Sequence, residues 1–146
     1  MRCLAVCHTE LVVRLLQKVL PPSFDVDFLV ESRALARRLH DAGVPVAAGD
    51  IKKTETYVKS DVGPATCIII EDNGRQGLRH QLDAIRDAGA TLVYVLCEPR
   101  AEESRANERR QDQLRAAFPE LAFLSMAELI GGPLVTEVSR SLTRAR

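Results

Sequence analysis

Residues 24–50 read FDVDFLVESRALARRLHDAGVPVAAGD, and this run decides the fold. An apolar strand-like segment ends in Glu31, a helical pattern follows from Ser32, and a second apolar segment ends in Gly49-Asp50. Such a β-α-β unit is the repeating element of a doubly wound sheet, in which an acid at the end of the second strand can bind the hydroxyls of an adenosine ribose. The same spacing fits an ordinary β-α-β unit in which Glu31 only precedes a helix.

The alternation of strand and helix patterns continues on both sides of this run. Further apolar segments of strand type lie at residues 2–7, 66–70, 91–97 and 121–124. A continuously apolar segment such as 66–70 is typical of a central parallel strand, because both of its faces are covered. Strands that alternate with helices predict a parallel sheet with right-handed crossovers. We therefore predict one three-layer α/β domain over residues 1–146, with a mostly parallel six-stranded sheet in the order 3-2-1-4-5-6.

Capping residues mark the starts of the first two helices. Thr9 and Ser32 have side chains that accept hydrogen bonds from the free N–H groups of a first helical turn. After Thr9, helical spacing predicts an inward face made of Leu11, Val12, Leu15, Leu16 and Val19. After Ser32, it predicts an inward face made of Leu35, Leu39 and Ala42. The third strand is expected at residues 44–48 and a weaker helix at residues 54–61.

Composition and charge are typical of a soluble globular protein. The chain has 146 residues, of which 46% are apolar and 27% charged, and its 20 basic side chains balance 20 acidic ones. There is no basic excess to favour nucleic acid, and no apolar segment approaches the roughly 20 residues of a membrane span. No signal peptide is recognisable. We expect a cytoplasmic protein that neither binds nucleic acid nor inserts into a membrane, with its four cysteines reduced.

Three stretches together carry a resemblance to a known family: residues 30–32, residues 43–50 ending in Gly49-Asp50, and residues 62–65 before a strand that ends in acids. Over most of its length the chain resembles the TrkA-N domain, also called the RCK N-terminal domain. The resemblance implies a Rossmann fold that binds NAD(H), ATP, ADP or a related adenine nucleotide. It also implies a dimeric cytoplasmic module that regulates potassium channels and transporters, so the expected partners are a second copy of the chain and a membrane transporter or channel.

Related domains also precede DHH-type phosphoesterase domains. The alternative is therefore a non-catalytic N-terminal or dimerising domain of such an enzyme, with a covalently linked C-terminal domain as its partner.

The chain departs from the family at the first turn, where the family carries G-x-G-x-x-G. The corresponding positions are Cys7, Thr9 and Val12. Those glycines permit a tight turn, close approach of the backbone to the pyrophosphate, and close packing of helix on strand. The helix N-terminus still offers free N–H groups and a partial positive charge. We therefore expect weak or altered nucleotide binding.

The candidate binding residues lie at the expected carboxyl ends of the strands. Glu31 is assigned to the ribose. Arg33 is assigned to a phosphate or a base, and the alternative is an ordinary surface arginine. Gly49 and Asp50 end the third strand, where loops form the crevice of such a sheet. His8 and Thr9 occupy the expected pyrophosphate loop, where a protonated His8 can bind an anion or a neutral one can fill the vacated space. At the end of the fourth strand, Glu71 and Asp72 are expected to repel phosphate.

The sequence offers no recognisable catalytic or metal-binding set. It contains no P-loop, nucleophile elbow or Ser-His-Asp arrangement, and no acids, histidines or cysteines at metal-ligand spacing. A receiver domain is a competing α/β interpretation because Asp50 ends the third strand. That class requires an acidic pair after the first strand and a lysine after the fifth, where this chain has Cys7-His8 and Glu98-Pro99. We therefore predict a protein that is not an enzyme.

An apolar stripe at the end of the chain predicts a homodimer. After Gly132-Pro133, helical spacing aligns Leu134, Val135, Val138 and Leu142. A two-fold contact between copies is the commonest way to bury such a stripe, and the resembling domains pair through helices near one sheet edge. The alternative is that the stripe packs on the sheet of its own chain.

Overall fold

The computed structural model of the protein describes residues 1–72, 77–97 and 104–126, with residues 104–107 described only as part of a helix. Within these residues six strands alternate with five helices. The elements are β1 Arg2–Cys7, α1 Glu10–Val19, β2 Asp25–Val30, α2 Arg33–Asp41, β3 Val46–Ala48, α3 Thr54–Lys59, β4 Cys67–Glu71, α4 Leu78–Asp87, β5 Leu92–Cys97, α5 Ser104–Ala117 and β6 Leu121–Ser125.

All six strands form one parallel sheet in the order β3-β2-β1-β4-β5-β6, which confirms the predicted topology. β1 lies at its centre, where Val6 is level with Leu29 of β2 and Ile70 of β4. The chain winds outward through β2 and β3, crosses back, and then winds outward through β4, β5 and β6. The direction of winding therefore reverses between β1 and β4, as in a doubly wound, Rossmann-like sheet.

Two apolar cores separate the sheet from helices on its two faces. One core contains Val12 of α1 and Leu39 of α2, packed on the Cys3, Ala5 and Cys7 side of β1. The other contains residues of α3, α4 and α5, packed on the opposite side of β1, which carries Leu4 and Val6. This division follows from the alternation of side chains along a strand. Residues 3–7 are all buried because both faces of the central strand are covered.

The helix caps form as predicted, whereas two predicted inward positions are wrong. The Thr9 hydroxyl accepts from the Val12 N–H at 3.4 Å, and the Ser32 hydroxyl accepts from the Leu35 N–H at 3.1 Å. Leu11 is 75% exposed, and Val13 is buried instead. The buried face of α1 is centred near Val13, and at about 100° per residue Leu11 lies some 200° away from it. Ala42 is likewise exposed, because α2 ends at Asp41 and Ala42 is its C-cap.

The third strand and the third helix are shorter than predicted. β3 begins at Val46 rather than at residue 44, and Pro45 has no N–H to give to the sheet, although its carbonyl accepts from the Phe28 N–H at 2.9 Å. α3 ends at Lys59, and Asp61 adopts a left-handed conformation with φ of 59°. The predicted terminal helix at residues 134–142 lies outside the described residues. Among the described helices, none has the length and apolar character needed to cross a membrane.

Candidate functional site

The carboxyl ends of β1, β2 and β4 meet where the winding of the sheet reverses. Cys7 at the end of β1 is level with Val30 at the end of β2, and Glu71 ends β4 on the other side of β1. His8 and Glu31 directly follow Cys7 and Val30. Ligands of doubly wound sheets bind in the crevice at this reversal point. The fold therefore brings His8, Glu31 and Glu71 to one place.

The loop between β1 and α1 is occupied by the carboxylate of Glu71. Its Oε2 accepts hydrogen bonds from the His8 N–H at 2.5 Å and from the Thr9 N–H at 3.1 Å. Its Oε1 accepts from the Thr9 hydroxyl at 2.9 Å. These groups belong to the turn that faces the pyrophosphate in dinucleotide-binding domains. The protein thus places its own anion where such domains place a phosphate.

The turn carries Cys7, Thr9 and Val12 where dinucleotide-binding turns carry glycine, and its backbone is not strained. Thr9 has an extended conformation, φ −126° and ψ 147°, which is the ordinary conformation of an N-cap residue. Cys7 and Val12 are both buried in the core on the α1 side of the sheet. The turn therefore has a Cβ atom at Cys7, Thr9 and Val12, and the Glu71 carboxylate fills the space beside the turn.

His8 connects the two acids of the crevice. Its backbone N–H binds Glu71, and its side-chain Nδ1 lies 3.8 Å from Oε1 of Glu31, which forms an ion pair when His8 is protonated. The His8 side chain is 16% exposed and the Glu31 side chain 49% exposed. Glu31 therefore keeps half of its surface open to solvent at the end of β2, where a ribose could reach it.

Asp50 and Gly49 follow β3, at the edge of the same end of the sheet. The Asp50 side chain accepts from the Lys52 N–H at 3.0 Å and closes the turn into α3. The Gly49 N–H donates to the Val30 carbonyl at 3.1 Å. A Cβ added at Gly49 would lie 2.7 Å from Cγ2 of Thr56, so local packing alone demands glycine here.

Arg33 is the first residue of α2 and is exposed beside Glu31. The structure therefore groups His8, Thr9 and Glu31 around one loop, while Arg33 and the Gly49-Asp50 turn flank it.

Tyr57 of α3 is a further component that the sequence analysis missed. Its side chain is fully buried, and its hydroxyl donates to the Ile51 carbonyl at 2.5 Å. Burial raises the pKa of the Tyr57 hydroxyl, and the negative charges of Glu31 and Asp50 raise it further. The phenol therefore stays protonated beneath the crevice. The sequence shows Tyr57 only as an aromatic residue in the middle of a predicted helix, which is typical of an ordinary core residue.

The second acid at the end of β4 has a different partner from the first. The Arg110 guanidinium of α5 donates to both carboxylate oxygens of Asp72, at 2.7 and 3.4 Å. Gln111 of the same helix lies 3.7 Å from the sulfur of Cys97 at the end of β5. Burial raises the pKa of the Cys97 thiol to about 11, and the charge of Asp72 adds to this effect. Asp72 thus anchors α5, whereas Glu71 faces the crevice.

No group of three or more histidine, cysteine or acidic side chains in the described ranges is arranged to hold a metal ion. The crevice contains the half-exposed side chain of Glu31, the imidazole of His8, and a loop whose hydrogen-bond donors are bound to Glu71. These groups can bind hydroxyls and amines through hydrogen bonds.

No protein-family model matches the chain, and no curated protein matches it. Several solved structures do. The NAD(P)-binding domain of an exopolyphosphatase-related protein from Archaeoglobus fulgidus has a TM-score of 0.60 and 13% identity, over 94% of this chain and 97% of that one. Triphenylmethane reductase from Citrobacter sp., complexed with NADP(H), has a TM-score of 0.57 and 19% identity, over 86% of this chain and 48% of that one.

The NADPH-dependent quinone oxidoreductase QOR2 from Escherichia coli, complexed with NADPH, has a TM-score of 0.56 and 18% identity, over 86% of this chain and 47% of that one. At these identities the similarities show the fold alone. The chain therefore has the predicted Rossmann-like α/β fold, and its relation to the TrkA-N family stays a prediction.

Proposed function

We propose that this chain is a non-catalytic regulatory domain that senses an adenosine-containing ligand with low affinity, in the manner of TrkA-N domains, and controls an ion transporter or channel from the cytoplasm. One observation carries the proposal: Glu31 directly follows β2 at the reversal point of the sheet, and half of its side-chain surface is exposed beside His8. An acid in this position is the group that binds ribose hydroxyls in Rossmann domains.

The similar solved structures support a nucleotide-type ligand for this crevice. One is described as an NAD(P)-binding domain, and two others were solved with NADP(H) or NADPH. Because Glu71 occupies the hydrogen-bond donors of the loop at Thr9, we expect weak binding of a phosphate there. The ribose-binding position at Glu31 is not affected by these contacts. A sensing role needs only reversible binding, which the ribose half can supply.

The crevice lies at the starts of two helices that cover one face of the sheet. Thr9 caps α1 and Ser32 caps α2, and both helices pack on the same side of the sheet. A ligand bound at Glu31 therefore lies close to the first turns of both helices. A shift of either helix changes the surface that this side presents to a second copy or to a transporter.

Isothermal titration calorimetry with adenosine, AMP, ADP, ATP and NADH tests the proposal. Replacing Glu31 by Ala should weaken adenosine binding by about 1–3 kcal/mol, because a hydrogen bond to a charged group is lost. The matched control is Asp25→Ala, an exposed acid at the amino end of the same strand, which should leave binding unchanged. Equal affinities of the Glu31→Ala variant and the wild type, with both folded by circular dichroism, would disprove the ribose role.

A second candidate function is supported by a structural similarity that extends over nearly the whole of two chains. The exopolyphosphatase-related domain matches nearly the whole of both chains, which favours a domain attached to a phosphoesterase as the alternative. The DNA sequence of the locus distinguishes the two. A phosphoesterase domain encoded in frame after Arg146 supports the second candidate, and an adjacent gene for a membrane transporter supports the first.

A further inference from the structure

We infer that Glu71 determines the specificity of the crevice, and that the crevice takes a nucleoside without a phosphate group rather than a nucleotide. This inference rests on the proposed function, since it names the ligand class of the same site. The expected ligand carries an adenosine-like ribose and has a neutral or positively charged substituent where a nucleotide carries its phosphate.

The hydrogen-bond donors of the loop that could bind a phosphate already bind Glu71. The two N–H groups at the start of the loop, those of His8 and Thr9, both donate to Glu71. The Thr9 hydroxyl donates to the other carboxylate oxygen and in turn accepts from the Val12 N–H. A phosphate that entered the loop would have to displace a carboxylate from three hydrogen bonds.

A displaced Glu71 carboxylate would remain close to the phosphate. Glu71 ends β4, directly beside β1, so its backbone cannot move away without breaking the centre of the sheet. Glu31 adds a second negative charge on the other side of His8. The negative charges of these carboxylates would repel a phosphate bound beside them, and the repulsion is strongest where water is partly excluded. A neutral or cationic substituent avoids this repulsion.

The ribose half of the crevice, at Glu31, does not depend on Glu71. Glu31 and Glu71 lie on opposite sides of β1, and the exposed surface of Glu31 is not used by the loop. A ligand that binds through ribose hydroxyls can therefore enter while Glu71 keeps its hydrogen bonds. The carboxylate then excludes phosphorylated analogues and leaves the unphosphorylated ligand undisturbed.

The test compares adenosine, ADP and inorganic pyrophosphate as probes on the whole chain, by calorimetry at fixed ionic strength. The variants are Glu71→Gln, which keeps the shape of the side chain and removes its charge, and Glu71→Ala, which empties the loop. The matched control is Glu10→Gln. Glu10 is an acid in the first turn of α1, and its carboxylate lies 3.6 Å from the Arg14 guanidinium.

We expect wild-type protein to bind adenosine more tightly than ADP. Glu71→Gln should bind ADP and pyrophosphate at least about tenfold more tightly than the wild type. The phosphate gains a charge-assisted hydrogen bond to the loop and loses its repulsion by the Glu71 carboxylate, and these two changes can account for such a gain in affinity. Adenosine affinity should change less than about threefold, and Glu10→Gln should behave as wild type.

Two results would overturn the inference. The first is that the wild type binds ADP more tightly than adenosine. The second is that neither Glu71→Gln nor Glu71→Ala binds ADP or pyrophosphate more tightly than the wild type does. The outcome for the proposed function is separate. If the Glu71 variants gain pyrophosphate binding while adenosine binds to none of the proteins, Glu71 excludes phosphate, but the nucleoside ligand inferred here and the proposed sensor function are both wrong. If adenosine binds through Glu31 and the phosphate probes gain nothing, the sensor stands and the role of Glu71 is wrong.

Discussion

Replacing Gly49 by Ala should destabilise the domain because of one contact. The added Cβ would lie 2.7 Å from Cγ2 of Thr56, a distance at which one of the two groups must move. Thr56 is β-branched and lies in α3, so its methyl group has little freedom to rotate away. Overpacking of this kind costs about 1–3 kcal/mol, which corresponds to a fall in Tm of about 3–9 °C for a domain of this size.

The companion variant removes the atom that causes the clash. Thr56→Ser deletes Cγ2 and keeps the hydroxyl, whose oxygen is 3.6 Å from the added Cβ. The double variant Gly49→Ala with Thr56→Ser should therefore be more stable than the sum of the two single changes by about 1 kcal/mol or more. Gly63→Ala is the control, since an added Cβ there meets nothing within 4 Å.

Urea denaturation followed by circular dichroism gives the free energies of unfolding of the wild type, the three variants of the cycle and the Gly63→Ala control. Gly49→Ala should lower the midpoint, and Gly63→Ala should leave it unchanged or raise it slightly through loss of freedom in the unfolded chain. Equal stability of Gly49→Ala and Gly63→Ala, or additive effects of Gly49→Ala and Thr56→Ser, would refute the packing argument. Gly49 would then be explained by ligand contact, which calorimetry on the same variants can detect.

Two further predictions concern a thiol and the assembly. With a pKa of about 11, Cys97 should react with iodoacetamide at pH 8 roughly two hundredfold more slowly than an ordinary cysteine, and the rate should rise about tenfold per pH unit up to pH 10. Because this pKa is raised by folding, its contribution to stability is complete below about pH 8.5 and is lost as pH rises towards 11. Peptide mapping locates the label, Cys97→Ser is the control, and rapid labelling of Cys97 at pH 7 would contradict the burial argument. Light scattering at about 100 μM, well above the dissociation constant of a stable dimer, should give the mass of two chains for the wild type and of one chain after truncation at Gly132; a wild-type monomer would remove the dimer.

The fold was predictable because its signals are local and agree with one another. Apolar segments of strand length alternate with capped helical patterns along the chain, and only a few topologies satisfy right-handed crossovers. The cap at Thr9 needed only the residue type and its place before an apolar helix. The error at Leu11 has a physical cause: sequence spacing gives the width of an apolar stripe, whereas the sheet decides which part of it is buried. A shift of one residue along a helix rotates the buried face by about 100°.

The site was only partly predictable, because its decisive contact joins residues far apart in sequence. Glu71 was recognisable as an acid at the end of a central strand, and the loss of the loop glycines was visible at Cys7, Thr9 and Val12. The two observations are one feature in space, since β1 and β4 are neighbours and 62 residues separate Thr9 from Glu71. A loop that binds a phosphate needs glycine so that the ligand can approach the backbone. A loop that binds a side chain of its own protein does not need glycine, because a flexible side chain can adopt a rotamer that avoids the Cβ atoms of the loop. The missing glycines and the acid therefore explain each other, and together they describe a Rossmann crevice in which the protein supplies the anion.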